Sequence, residues 1–423
     1  MAQGRGEGVL SRELILSLYL PSTMLSLGQS MVAPVIPGFA KSFEVNFGTA
    51  SLVFVMLNVG ALVATFPAGY LMDKIGRKPV LLAGPMLTAL ASFMTPWSGS
   101  FEELLFWRFL LGVASQLWMQ ARLAIIADTA RHGQRARQMQ WMMGVGRAGQ
   151  LFGPSVGGFL AAGFGLWIPF AIHATLTLLA IIPSFKLIPE TAPGRGGREH
   201  SEEDAALAGQ GWRPVIAYML TFQMVTFLII QFAATLCRGG QEYGSLNLYA
   251  VYAYGVGPQT LGLLNTASIL FGIPVPFLTG WLMDKFGRRS VIVPGFSSYA
   301  FSVILMSMTA FMPETFPFTM FLVTYVLVQA TQGTTGGTMQ VLGTDLSPRF
   351  ARGRFFAIWR TISQLGSTIT PAIFAFMSER FGYGVGFVYL ACCALVVASG
   401  VGLVLGNTLK SADQADRAGA VSD

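Results

Sequence analysis

The chain has 423 residues, of which 53% are hydrophobic and 11% charged, and its mean hydropathy is +0.58. A soluble domain of this length carries about a quarter of its residues as charges, so this composition excludes one and points to helices packed in lipid. The net charge of +7 does not indicate a nucleic-acid partner, because its distribution along the chain follows membrane topology.

In chain order, Met1 to Glu13 is polar with charges of both signs and shows no cleavable signal peptide. Runs of about 20 apolar residues then predict six spans over 14–37, 48–71, 79–97, 101–127, 138–163 and 165–186. Residues 189–212 are Gly/Pro-rich and charged and read as a solvated linker. Six more spans are predicted over 213–237, 258–283, 290–312, 316–343, 355–376 and 381–408. The expected organisation is a six-helix bundle over 1–188, a cytoplasmic linker over 189–212 and a second six-helix bundle over 213–423. Cys237, Cys392 and Cys393 lie in or beside apolar runs and read as packing thiols.

A ten-residue phrase occurs once in each half. Gly69-Tyr-Leu-Met-Asp73-Lys74-Ile-Gly76-Arg77-Lys78 returns 211 positions later as Gly280-Trp-Leu-Met-Asp284-Lys285-Phe-Gly287-Arg288-Arg289. Each copy joins the second and third spans of its half, as two related bundles of membrane helices require. Lys and Arg gather on one side of the map: Lys74, Arg77, Lys78, Arg131, Arg135 and Arg137 in the first half, Lys285, Arg288, Arg289, Arg349, Arg352 and Arg354 in the second. By the positive-inside rule that side is cytoplasmic, and both termini fall on it.

The doubled phrase resembles the loop signature of the major facilitator superfamily, and the resemblance covers essentially the whole chain. It implies an all-α membrane protein of twelve transmembrane helices in two six-helix bundles, working as a secondary active transporter. Gly149-Gln-Leu-Phe-Gly153-Pro154-Ser-Val-Gly157-Gly158 in span 5 looks like the motif of drug:proton antiporters within that superfamily. Leu27-Gly28 with Pro34-Val35-Ile36-Pro37 in span 1 looks like a motif of the same twelve-span exporter group, and Arg108-Phe-Leu-Leu-Gly112 is similar in outline to the span 4 motif. Independently of the resemblance, Gly149, Gly153 and Gly157 recur every four residues and form a smooth stripe that lets another helix approach. Pro154 permits a bend beside it; a bendable contact between the halves is the expected role. By family analogy, Gly69, Asp73, Arg77 and Asp128, and their repeats Gly280, Asp284, Arg288 and Asp345, form conformational latches on the cytoplasmic side. The alternative is that these charges only anchor the loops.

Five arginines fall within spans or at their ends: Arg108, Arg122, Arg147, Arg238 and Arg360. A charge in lipid is costly, so each should face a cavity, a partner or the interface. Arg147 and Arg360 look repeat-related, each followed by a Gln-Leu pair, Gln150-Leu151 and Gln364-Leu365. Arg147, Arg360 and Arg122 are the candidate substrate cations, with Arg122 equally open to a local structural role. Gln29, Gln116, Gln150, Gln223, Asn265, Gln329 and Gln364 are candidate polar contacts. Acids are scarce at depth: Glu242, four residues after Arg238, is the only carboxylate expected near the span 7 cavity mouth. Glu242, Arg238 and Arg108 are the candidates for proton coupling, with a simple Arg238–Glu242 salt bridge at i,i+4 the equal alternative. His173 on span 6 reads as structural rather than titrating.

The glycine stripe favours export. The surplus of arginine over acid favours a substrate carrying a carboxylate or phosphate, and an amphipathic organic anion satisfies both. The expected function is export of amphipathic organic compounds by alternating access, with proton coupling implied by the resemblance; the alternative is organic-anion uptake by symport or facilitated diffusion. No nucleotide loop, metal cluster or catalytic triad appears, so no enzyme activity, cofactor or metal is expected. The expected partners are a small-molecule substrate, protons and the lipid bilayer, with the chain a monomer in a bacterial inner membrane.

Overall fold

The structure is a computed structural model in which residues 15–129, 135–187, 213–239, 244–311, 318–347 and 352–404 are described. All regular structure among these residues is helical. The first span comprises a π-helical turn, Ile15–Tyr19, then α1 (Leu20–Val32) and α2 (Ile36–Lys41). Pro34 sits at their junction, where a ring that cannot donate a backbone bond interrupts the rod. α3 (Phe47–Ile75), α4 (Arg77–Met94), α5 (Phe101–Thr129), α6 (Arg135–Phe164) and α7 (Ile168–Leu187) follow as single rods.

In the second half α8 (Arg213–Met219) is a separate short helix, broken from α9 (Phe222–Gly239) at residues 220–221, and α10 (Ser245–Tyr254) is a further short helix. This corrects the predicted span over 213–237. Ser245–Tyr254 has too few residues to cross a bilayer alone, so hydropathy leaves it in a loop, while the apolar run of α8 pulls the predicted span the other way. α11 (Pro258–Gly272) and α12 (Val275–Phe286) make the eighth span, with Pro274 at the junction. α13 (Arg289–Phe311) is the ninth span, and α14 (Phe318–Thr335) and α15 (Thr338–Asp345) form the tenth. α16 (Arg352–Phe381) and α17 (Tyr383–Ser399) are the last two.

The repeated phrase has one physical requirement in both copies. Gly76 and Gly287 adopt φ of 104° and 87°, a region that costs an L side chain energy. Gly76 lets the chain leave one helix and enter the next within one residue, and Gly287 does so within two. Lys74 lies over the Tyr70 ring at 5.7 Å and Lys285 over the Trp281 ring at 4.9 Å. The aromatic residue that follows the leading glycine thus holds the lysine four positions later.

The helices gather into two compact units. Unit 1 takes residues 1–46, 52–201 and 250–266; unit 2 takes 47–51, 202–249 and 267–423. The core of unit 1 joins Leu18 and Leu25, Ala68, Val80 and Leu81, Leu117, Trp118 and Ile125, and Ala180, drawn from α1, α3, α4, α5 and α7 and the turn before α1. Close packing rather than water exclusion supplies the attraction in lipid, so small residues set the crossings. A Cβ on Gly112 would come 2.9 Å from the Ala61 nitrogen, and one on Gly60 would come 3.0 Å from the Phe109 carbonyl carbon. α3 and α5 therefore meet backbone to backbone.

Unit 2 is built on aromatic side chains. Tyr249 packs edge-on against Phe387 at 5.0 Å, and Phe374 against Phe387 at 5.2 Å. Tyr325 donates to the Asn247 side-chain oxygen inside this cluster, which gives the buried phenol the partner it needs.

Candidate functional site

The glycine stripe of α6 finds its close neighbour in α1, within unit 1. A Cβ on Gly149 would lie 2.7 Å from the Thr23 carbonyl oxygen, one on Gly153 2.8 Å from that of Leu27, and one on Gly157 2.6 Å from Met31 Cα. The spacing of four residues matches the spacing of Thr23, Leu27 and Met31, so one helix lies along the other. Gly158 serves a different neighbour. Its Cβ would come 3.1 Å from the Pro258 carbonyl carbon, and a Cβ on Gly262 would come 3.0 Å from that of Pro154. The expected bendable contact is thus divided between two faces of α6, one on α1 and one on the 258–266 segment that belongs to unit 1.

Pro154 explains the polar part of the second face. It has no N–H and its ring displaces the preceding turn. The Ser155 N–H donates to Thr266 Oγ1 at 3.1 Å, and the Ser155 hydroxyl bonds the same oxygen at 2.7 Å. At the end of α10, Lys41 donates to the Val251 carbonyl at 3.1 Å and Tyr252 donates to that of Val45 at 3.0 Å. A cation on the last carbonyls of a helix is the favourable arrangement for its dipole.

The candidate cations fall into three environments. Arg108 is buried on α5, and its Nε donates to the Val53 carbonyl at 3.4 Å. Arg122 is buried deeper along the same helix; it donates to Ser22 Oγ at 2.9 Å, reaches Met119 Sδ at 3.2 Å and lies over the Trp118 ring at 5.6 Å. Arg147 and Arg360 are exposed, on α6 and α16, and no described residue bonds or pairs with either. Arg238 on α9 is partly buried, with its Nε enclosed and without a hydrogen-bond partner.

The polar candidates divide as well. Gln116 donates to Thr65 Oγ1 and Gln120 to the Thr65 carbonyl, each at 3.1 Å, so both tie α5 to α3. Gln29 is exposed, Gln150, Gln223, Gln329 and Gln364 are half-buried, and Asn265 is buried. In the repeated phrase, Asp73 and Asp284 are exposed and make no ion pair with a described residue, whereas Arg77 and Arg288 have partners. Gly69 and Gly280 have open space around them. Glu242 lies outside the described residues, as do the side chains of Asp128 and Asp345.

His173 reads as structural from the sequence, but its partners and two further arrangements were not foreseen. His173 is buried, with its Nδ1 2.9 Å from Ser92 Oγ and its ring against Gly28, so it joins α7, α4 and α1. Gln231 donates to Ser363 Oγ at 2.9 Å and joins α9 to α16. Next to that pair, α8, α9 and α16 line an open apolar groove of about 490 Å³, with Met219, Leu228, Phe232, Ile358 and Ile362 along it and the exposed Leu220 and Ile229 at its rim. Helical spacing of apolar residues signals a packed face and cannot show that the face was left hollow.

Among the described residues, six segments are each long and apolar enough to cross a membrane: Phe47–Thr65, Arg77–Trp97, Ile168–Lys186, Pro258–Phe286, Arg289–Phe311 and Tyr383–Val404. The protein is an integral, multi-pass membrane protein. Among solved structures, a D-xylose–proton symporter matches with a TM-score of 0.72 at 17% identity, over 91% of this chain and 96% of that one. A peptide transporter of the POT family, solved with sulfate, matches with a TM-score of 0.74 at 14% identity, over 96% and 97%. Among curated relatives, multidrug resistance protein 2 of Bacillus subtilis is 24% identical over 63% of this chain and 66% of its own length. Quinolone resistance protein NorA of Staphylococcus aureus is 24% identical over 61% and 64%. The match therefore spans just under two thirds of these relatives' length. The Major Facilitator Superfamily model matches residues 18–257 and again 228–419. With its helical fold, its doubled loop phrase and a family match from end to end, the chain belongs to the Major Facilitator Superfamily.

Proposed function

We propose that the protein is a secondary active transporter, and not an enzyme, that exports amphipathic organic compounds by exposing one binding site alternately to the two sides of the membrane. The observation that carries this reading is the second face of α6: Gly158 and Gly262 bring α6 and the 258–266 segment to backbone distance, and the Ser155 N–H donates to Thr266. That crossing relies on glycine contacts and one hydroxyl pair, so it can separate without stranding a buried charge. The multidrug and quinolone resistance proteins among the relatives support export.

In this reading the bundles over 1–188 and 213–423 are the moving parts and 189–212 joins them. The substrate moves against protons, both termini are cytoplasmic, and the protein is a monomer in a bacterial inner membrane. Asp73, Asp284 and their repeat partners latch the cytoplasmic side. The test uses everted vesicles with an interior-acid gradient, challenged with organic cations, neutral drugs and organic anions. Collapse of the gradient by one class supports proton-coupled export, and transport indifferent to an imposed gradient removes the coupling. A second reading, uptake of an organic anion, is favoured by Arg147 and Arg360, which are exposed and pair with no described residue. Counterflow with labelled anions separates the two, and loss of that counterflow in Arg147→Ala places Arg147 in the anion's path.

A further inference from the structure

The first turn of α3 is seated on the end of α16. A Cβ built on Gly48 would overlap Glu379 Oε2 and lie 2.8 Å from its Cδ, so the carboxylate fills the space that glycine leaves open. Gly48 is the second residue of α3, where backbone N–H groups lack acceptors within the helix and the dipole is positive. Beside it the buried Phe47 packs edge-on against Tyr383 at 4.9 Å and lies 6.1 Å from Phe374. Arg380, the next residue along α16, is exposed and pairs with no described residue, so it does not draw the carboxylate away.

This seat lies within unit 2, to which residues 47–51 belong, while the rest of α3 is in unit 1. The second half of the sequence has a counterpart within unit 1. There α11 begins at Pro258, and a Cβ on Gly158 of α6 would come 3.2 Å from Gln259 Cα. In both cases the start of a second span rests on a fifth span from the other half of the sequence. The two seats differ in charge. α16 and α6 each end before a glycine at positive φ, Gly382 and Gly165, and three residues before those glycines stand Glu379 and Ala162. Glu379 is exposed, so lifting the turn of α3 strands no buried charge.

We propose that Glu379 is a gating residue of the transport cycle: it holds the first turn of α3, at the end remote from the repeated phrase, and releases that turn once in each cycle. The proposal rests on the transport reading above and gives that cycle a gate.

The Cβ positions of Gly48 and Glu379 are 3.6 Å apart, a separation that a disulfide spans. Everted vesicles carrying Gly48→Cys with Glu379→Cys are given an interior-acid gradient and challenged with ethidium, N-phenyl-1-naphthylamine and 1-anilinonaphthalene-8-sulfonate. Oxidation should abolish the gradient collapse and dithiothreitol should restore it, with wild type indifferent to both treatments. A disulfide that forms and leaves transport unchanged overturns the gate, and a disulfide that does not form overturns the seat. A second measurement needs no transport. Ser51 is 3% exposed, so a water-soluble maleimide reaches the thiol of Ser51→Cys only when the turn lifts; labelling of the full chain in phosphatidylcholine nanodiscs is counted against the chain without that substitution. Glu379→Gln should speed this labelling about two- to fivefold, the scale of a charge at a helix terminus, and an unchanged rate overturns the role of Glu379. Wild-type vesicles that respond to none of the three probes overturn the transport reading. In that case, or if the reduced double variant is inactive, the labelling rate alone decides the gate.

Discussion

Gly157→Ala offers the sharpest test of the α1–α6 contact. The added Cβ would lie 2.6 Å from both Met31 Cα and its carbonyl carbon, and closer still to the carbonyl oxygen, against the 3.4 Å at which ordinary contact begins, so the helices must part by at least about 0.8 Å. The obstacle is backbone and cannot rotate away. Overpacking of this kind costs about 1–3 kcal/mol, while the gain in helix propensity from Gly to Ala returns at most about 1 kcal/mol. The same helix supplies controls: Gly144 and Gly163 have nothing within 4 Å of a Cβ, so Ala there should be neutral or slightly stabilising. Thermal unfolding of purified protein should place Gly157→Ala a few degrees below wild type, with Gly144→Ala and Gly163→Ala at or above it. Gradient collapse in everted vesicles should fall only in the first. Equal stability and transport in all three would refute the idea that backbone approach at Gly157 matters.

Three further outcomes are expected. His173→Ala should lose about 2–4 kcal/mol of stability, because it empties a buried site and removes the partner of Ser92; the midpoint of chemical unfolding checks this. The double variant Ser155→Ala with Thr266→Val, which removes the hydroxyl pair at the α6–α11 crossing, should shift stability by about 1 kcal/mol and alter transport rate more than substrate affinity; initial rates over a substrate series separate the two. Asp73→Asn should slow turnover with little change in binding, and a pure affinity loss in direct binding assays would count against a latch.

Single-rod spans such as α3, α5 and α13 were legible because long apolar runs end at charges or turn residues. The repeated phrase revealed itself through its spacing, and its glycines proved to be the left-handed residues at positions 76 and 287. Breaks within spans were not legible. Hydropathy averages over a window, so α10 was lost to a loop and α8 was taken into the seventh span. The glycine stripe announced a close neighbour but not which one, since periodicity describes one helix and not its packing. For the same reason Gln116 read as a substrate contact, although Thr65 on the neighbouring helix takes its side chain.

The six self-sufficient segments carry a consequence for biogenesis. α5 is not among them, and it bears Arg108 and Arg122. A central arginine opposes partition from the translocon by about 2.5–3.5 kcal/mol. α4, the segment immediately before it, is among the six, and a Cβ on its Gly84 would come 2.8 Å from the Trp118 nitrogen of α5. α5 is thus positioned to leave the translocon as the second arm of a helical hairpin, its arginines already shielded by protein when it meets the acyl chains. The polar equipment of the mature protein is in this way carried into the bilayer by the neighbours that later hold it in place.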